Sequence, residues 1–314
     1  LQSLEPELFA DRRLALLFVC SHPGVDPSVR APLMMQVVLG LTAQQVASAF
    51  LLAPKTVGQR LWRAKRWIRD SGLSFELPAP EELRTRLGDV LEAIYGAYQA
   101  GSSVSATLNG TQSELRAEAV YLAELVTEML ADQAEAHGLL ALLQHLQARR
   151  SSRPASDVYI PLRDQDVKTW NLELIRAGEK SLHAATELRT PGRFQIEAAI
   201  QSAHNSRAFT GVVDRSGVVR LYEALLRVAP TPGARVAYAA ALLEDARASD
   251  AEVVLSSFTP EQTDRFQAYW AVRAHVLDRL SRKSEADQAY GRAIGLCSEP
   301  AVRCYLSEKR AKLF

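Results

Sequence analysis

Apolar residues recur at intervals of three and four along nearly the whole chain. Ala119, Leu122, Ala123, Leu125, Val126, Met129 and Leu130 follow this spacing, as do Leu139, Leu140, Leu142, Leu143 and Leu146. A period of about 3.6 residues puts such positions on one face of an α-helix. Strand-like alternation is almost absent. Val158-Tyr-Ile-Pro-Leu162 is the one short stretch that approaches it, and its proline argues against a central strand. The pattern predicts an all-α fold.

Glycine, proline and serine divide this helical text. Residues 71–80 (SGLSFELPAP) break the chain after a long basic segment and predict a first boundary. Gly101-Ser-Ser-Val-Ser and Asn109-Gly-Thr predict a polar loop between helices, and Arg149 to Ser156 a second, mobile one. Three segments result: a domain over 1–78, a helical connecting segment over 80–150 and a helical domain over 157–314. Beyond about residue 215 the text becomes repetitive. Tyr222 and Tyr290 lie 68 residues apart, twice the roughly 34-residue tetratricopeptide period. A tetratricopeptide template aligned on Trp270 puts Ala274, Ala286, Tyr290 and Ala293 at its small or aromatic positions. Small residues there let paired helices approach, and the ring fills the gap to the next repeat. Leu277 and Ser298 depart from the template, and the middle repeat near Val236 to Ser257 is weaker. The C-terminal domain is therefore read as tetratricopeptide-like packed hairpins.

The most informative stretch is Leu41 to Arg69, LTAQQVASAFLLAPKTVGQRLWRAKRWIR. Thr42 is a good N-cap, and Gln45 three residues later completes a capping box. Val46, Ala47 and Phe50 form the apolar face of the first helix. Leu51 to Pro54 ends it, and Pro54 suits the first turn of the next. Leu51 stands where glycine is common, which predicts a bulkier turn. In the second helix Val57, Leu61, Ala64 and Ile68 face inward, while Thr56, Gln59, Arg60 and Arg63 face away. Ala47 is the small residue that a near-perpendicular crossing requires. This is the pattern of a helix-turn-helix with its recognition helix at 54–67. In that arrangement Lys55, Thr56, Gln59 and Arg60 reach base edges, and Arg63, Lys65, Arg66 and Arg69 hold phosphates.

Charge sharpens this reading. The net charge is only +1, yet residues 1–78 carry nine basic against six acidic side chains, with no acid from 54 to 69. The polyanion-binding character is thus confined to one short stripe. With Cys20, Cys297 and Cys304 as the only cysteines, a disulfide framework is not expected, and a reducing cytoplasm is. The apolar run Leu14 to Cys20 is too short to span a bilayer, and no signal peptide is expected. Position 1 is Leu, as expected of a fragment or trimmed chain.

Leu41-Thr-Ala-Gln-Gln-Val-Ala-Ser-Ala-Phe, Thr56-Val57 and Arg60-Leu-Trp-Arg-Ala-Lys65, with the helix around Arg30 to Leu39 before them, resemble region 4 of extracytoplasmic-function RNA polymerase sigma factors. Arg163-Asp-Gln-Asp-Val-Lys-Thr-Trp170 with Leu174-Ile175, and Gly192-Arg-Phe-Gln-Ile-Glu-Ala-Ala-Ile-Gln-Ser-Ala-His204, resemble the members with a tetratricopeptide-like C-terminal extension. The resemblance implies a bacterial transcription factor that reads the −35 promoter element and docks on the β flap of the RNA polymerase core. Met34, Val37 and Val38 are candidates for that docking, with a core role as the alternative. Region 2 of the family, which melts the −10 element, is expected before this segment and is absent. The chain is therefore not expected to initiate transcription alone.

Candidate chemistry elsewhere is sparse. Asp164 and Asp166 could hold a hard cation; equally, one of them caps a helix starting near Val167 while Trp170 packs in the core. Resemblance groups Asp164, Gln165, Asp166, Trp170, Arg193, Gln195 and His204 as a regulatory pocket for a protein or small-molecule regulator. The cysteines lack zinc spacing and read as buried thiols. His137, His145, His183 and His275 read as packed or surface residues, and Tyr95 and Tyr98 beside Ile94 as core. No G-x-S-x-G, P-loop or G-x-G-x-x-G occurs. No catalytic residue, metal, cofactor or membrane partner is expected. A protein-interaction scaffold built on the C-terminal groove is the alternative to the transcription factor, and an enzyme using the two aspartates a third reading.

Overall fold

A computed structural model describes residue 9 and residues 11–50, 52–72, 76–101, 109–150 and 158–314, the side chains of 109–113 excepted. Among these residues every regular element is helical and no strand occurs, as the periodicity requires. The 158–161 stretch is irregular and runs into a 3₁₀ turn at Leu162–Asp164. The chain forms two compact units, one of residues 1–143 and 183–190, the other of residues 144–182 and 191–314.

The first unit opens with α1 (Arg12–Cys20), α2 (Pro27–Val37), α3 (Ala43–Ala49), α4 (Pro54–Ser71), α5 (Pro80–Ala100) and α6 (Asn109–Met129). Local chemistry sets the starts. Asp11 accepts from the Arg13 amide at 2.6 Å and Asp26 from the Ser28 amide at 2.8 Å, each satisfying an orphan first-turn donor. Pro27, Pro54 and Pro80 occupy first-turn positions where no amide is needed. The unit is organised around α5, whose Leu83, Leu87, Val90, Leu91, Ala93, Ile94, Ala97 and Tyr98 are buried. Helices α2 and α3 both pack on it. At Gly96 the absent side chain makes room for Met35, since a Cβ there would lie 2.7 Å from its sulfur. Arg30 and Asp89 tie α2 to α5 at 2.9 Å. Arg86, buried on α5, donates to the Phe18 carbonyl at 3.3 Å and to Glu82 at 3.0 Å, so its charge is compensated.

Two loop expectations meet the structure differently. Asn109-Gly-Thr is not loop but the first turn of α6. Residues 102–108 and the second proposed loop over 151–157 lie outside the described residues.

Two helices, α7 (Ala134–Ala148) and α8 (Leu172–Glu187), have residues assigned to both units. The second unit continues with α9 (Arg193–Asn205), α10 (Arg207–Thr210), α11 (Arg215–Val228), α12 (Pro232–Glu244), α13 (Ala248–Ser256), α14 (Pro260–Thr263), α15 (Gln267–Arg279), α16 (Lys283–Leu296) and α17 (Pro300–Ala311). Successive helices pack as antiparallel hairpins, α12 on α13 and α15 on α16. The two hairpins have one construction. Ala239 and Ala274, Leu242 and Leu277, Ala251 and Ala286, and Leu255 and Tyr290 are equivalent buried pairs. The turn between the helices also repeats. Ala246 and Ser281 both have φ near +60°, and the following amides of Arg247 and Arg282 bond back to the Leu242 and Leu277 carbonyls at 2.8 and 2.9 Å. These are helix-ending six-to-one bonds. Gly211, also left-handed, stands the same 35 residues before Ala246 as Ala246 stands before Ser281.

A left-handed residue with a Cβ is strained by roughly 1–2 kcal/mol, and glycine is not. Ala246 therefore works against its own turn. We expect Ala246→Gly to raise the unfolding free energy by up to about 1 kcal/mol in urea denaturation, the reverse of the usual effect of a new glycine.

Candidate nucleic-acid interface

The segment 41–71 folds as the cap chemistry dictates. Thr42 Oγ1 accepts the Gln45 amide at 3.3 Å while Gln45 Oε1 accepts the Thr42 amide at 2.9 Å, so the capping box is complete. Helix α3 ends with the Leu52 amide on the Ala47 carbonyl at 2.9 Å, a six-to-one closure. Leu51, the proposed bulky turn residue, lies outside the described residues. Pro54 then starts α4, and Gly72, with φ of 64°, ends it. Val46 and Ala47 on α3 and Val57 and Leu61 on α4 are buried. Ala64 and Ile68 continue the inward stripe half-buried. Burying Val57 and Leu61 contributes about 1.5–3 kcal/mol each, which fixes the rotation of α4 about its axis.

That rotation decides where the polar side chains go. Lys55, Gln59, Arg60, Arg63, Lys65, Arg66 and Arg69 are exposed, and Thr56 is half-buried at the edge of the core. Among the described residues Lys55, Arg60, Arg63 and Arg69 make no ion pair. Arg66 lies 3.5 Å from Asp70, both well exposed, so the pairing is weak. Lys65 is the exception in direction: its Nζ donates to Gln36 Oε1 of α2 at 2.7 Å, placing it on the flank of the stripe. Sequence reasoning passed over Trp62 and Trp67, 61% and 45% exposed on this same helix. Their departure from the inward 57-61-64-68 spacing was the available signal.

Of the candidates for polymerase docking, Met34 is fully buried and belongs to the core, whereas Val37 is 55% exposed. Met34 is thereby removed from any docking surface, because its side chain has no exposed area. Val38 is half-buried.

In the second unit the residues grouped as a regulatory pocket take several roles. Asp166 accepts the Lys168 amide at 2.9 Å and caps a 3₁₀ turn, Val167–Thr169. The long helix that follows is capped instead by Asn171, whose Oδ1 accepts the Leu174 amide at 3.0 Å. Asp164 is exposed beside Arg163 at 3.7 Å, and Gln165 donates to the Ile160 carbonyl at 3.3 Å. Trp170 is buried, with the Arg207 guanidinium 5.0 Å from its ring centroid. That guanidinium also donates to the carbonyls of Leu162, Arg163 and Gln165 at 2.7–3.0 Å. Arg193 pairs with Glu197 at 2.7 Å, and Gln195 is buried. His204 borders a cavity of about 160 Å³ with Val213, Arg215, Val218, Tyr222 and Glu244. Glu244 at its edge is bound by Arg163 at 3.1 Å.

His145, fully buried, accepts from Asn205 Nδ2 on Nδ1 at 3.1 Å. A neutral ring so assigned carries its proton on Nε2, 3.6 Å from Glu179. Arg149 donates to Asn205 at 2.7 Å and to Gln201 at 2.6 Å. Gly178 leaves space for the imidazole, since a Cβ there would approach it to 2.9 Å. Among the described residues no cluster of three or more His, Cys, Asp or Glu side chains could hold a metal. The cysteines are not uniformly buried as expected: Cys20 and Cys297 are half-buried and Cys304 is exposed. Burial pushes the Cys20 thiol up to about 11, away from the reactive thiolate. Among the described residues no helix is long and apolar enough to cross a membrane.

Residues 86–186 match a family of unknown function, DUF6596. Over 302 residues the chain is 31% identical to an uncharacterized protein of Rhizobium meliloti (strain 1021), covering 95% of this chain and 70% of that one. The chain belongs to the family of that rhizobial protein. No solved structure matches it.

Three histidines, His145 buried and His204 and His275 half-buried, give the second unit a pH signature. Burial, helped by nearby arginine or lysine charge, pushes His145, His204 and His275 each down to about 4 from an ordinary 6.5. A depressed folded value means that the unfolded chain takes up protons first as pH falls. The stability contribution is complete above about pH 6.5 and is lost on the way down to about 4. We expect denaturant midpoints to fall across that window, and His204→Gln to make the fall shallower.

Proposed function

We propose that this protein is a sigma-type transcription factor of the extracytoplasmic-function class. In this reading α3 and α4 form a helix-turn-helix that reads the −35 promoter element in the cytoplasm, in association with the RNA polymerase core. The observation that carries it is the exposed polar face of α4, six cations and a glutamine with one acid at its far end, on a helix that starts after a capped partner helix. A solvated face needs no such arrangement. It would accept acids between the cations, and there are none from 54 to 69.

Lys55, Gln59 and Arg60 stand on the first two turns of α4, the part of a recognition helix that meets base edges. Arginine pairs bidentately with guanine, and glutamine with adenine. Arg63, Arg66 and Arg69 follow at three-residue steps and take phosphates, with Lys65 contributing from the flank. Val37, exposed at the end of α2, is the remaining apolar candidate for contact with the polymerase flap. The second unit, read as tetratricopeptide-like hairpins, serves as the regulatory half, with the His204 cavity as the place where a regulator engages.

Fluorescence anisotropy with labelled duplexes tests the DNA reading. Arg60→Ala should abolish sequence preference, whereas Arg66→Ala should weaken all duplexes alike. With roughly four phosphates neutralised, the slope of log K against log salt should be about −3.6. Equal affinity of wild type and both variants at low salt would end this reading.

A further inference from the structure

The DNA reading leaves Trp62 unexplained. Its indole is 61% exposed, although a lysine or glutamine there would serve solubility better and the inward stripe of α4 is complete without it. Position gives it a context. Lys55, Gln59, Trp62, Arg66 and Arg69 are spaced four, three, four and three residues apart, so they form one stripe along the helix. This stripe runs out of phase with the buried one of Val57, Leu61, Ala64 and Ile68. Trp62 is its centre, with Lys55 and Gln59 on the side of the helix N-terminus and two arginines on the other. The Arg66 guanidinium sits 5.5 Å from the indole centroid, a cation–π pairing that holds the charge over the ring.

We infer that Trp62 is itself a DNA-contacting residue, packing its indole against deoxyribose and thymine methyl at the groove wall while Arg66, stacked on it, takes the adjoining phosphate. The inference rests on the DNA reading above and adds a contact to it. The occupant is chosen by charge: every ionisable neighbour of Trp62 within the stripe is cationic, and the stripe spans about 21 Å of helix, the scale of a duplex groove crossing. An indole among cations serves a polyanion that also carries apolar surface. Duplex DNA offers this through its sugars and methyl groups, lined by phosphates.

The test separates the indole from the charges. Binding of the full chain to a fluorescein-labelled random-sequence duplex is measured over a series of salt concentrations, with the folded state of each variant checked by thermal unfolding. Trp62→Ala should weaken binding by about tenfold without changing the salt slope, because no cation is lost. Trp62→Phe should retain most of the affinity. Arg66→Ala should flatten the slope by about 0.9. Indole emission should be quenched by duplex in wild type, and the quenching should be largely absent in Trp62→Phe, in which Trp67, Trp170 and Trp270 remain. If wild type binds duplex but Trp62→Ala binds equally and the quenching persists in Trp62→Phe, the indole makes no contact and this inference falls while the DNA reading stands. If wild type fails to bind duplex at low salt, both fall. Quenching by polyglutamate equal to that by duplex would assign the stripe to an acidic protein surface and overturn the inference.

Discussion

Helix α4 has 18 residues, yet only Val57 and Leu61 are fully inside. A helix with so narrow an apolar stripe has one stable rotation against its neighbours. Turning it far enough to hide an arginine would expose these two side chains and strand a charge in apolar surroundings, at a cost of several kcal/mol. The cations therefore stand outward because nothing else on the helix can stand inward. Ala47 is buried on α3, which packs on α4, and a larger side chain there would overpack that small core. The surface that meets DNA in our reading is in this sense a by-product of a small, well-determined core.

The second unit relies on repetition. Two hairpins with the same small residues at their contacts and the same left-handed turn stack in sequence, each covering apolar surface that the other could not bury alone. Within this apolar scheme lies a polar cluster, His145 with Asn205, Arg149 and Gln201. Buried polar groups are tolerable when hydrogen-bonded and costly otherwise. The cluster thus ties the end of α7 to α9 with a directional constraint that leucines would not impose. Gly178 is part of that constraint, because the imidazole occupies the space of its missing side chain.

These two styles of construction suit the two roles proposed. A DNA-reading helix needs one rigid orientation and a water-facing polar side, which a capped helix on a compact core provides. A regulatory half needs surface and room for a ligand or partner, and hairpins offer both; the cavity bordered by His204 and Tyr222 is lined mainly by apolar residues of α11 and α12. Its polar edge, with Arg215 and Glu244, is where a regulator would find directional contacts.

Much of this was legible in the sequence. The helical period, the Thr42–Gln45 box, the inward stripe of α4, the outward cations and the small or aromatic positions 274, 286, 290 and 293 were all readable. Each is a property of one helix, and periodicity along a chain reports which face of a helix is apolar. What lay beyond that reach required another part of the chain. Met34 reads as well as Val37 for an exposed docking residue, yet the folded chain buries Met34 and leaves Val37 exposed. Asp166 does cap a helix starting at Val167, but that helix is a single 3₁₀ turn, and the longer helix after it is capped by Asn171. The 35-residue spacing of the hairpins was hidden because two of its turns are made by alanine and serine, where the text offers no glycine. His145 meets Asn205 across 60 residues of sequence. Local pattern determined the helices and their faces; only the tertiary structure decided which faces meet, because burial and hydrogen-bond partnership depend on distances in space that sequence separation does not encode.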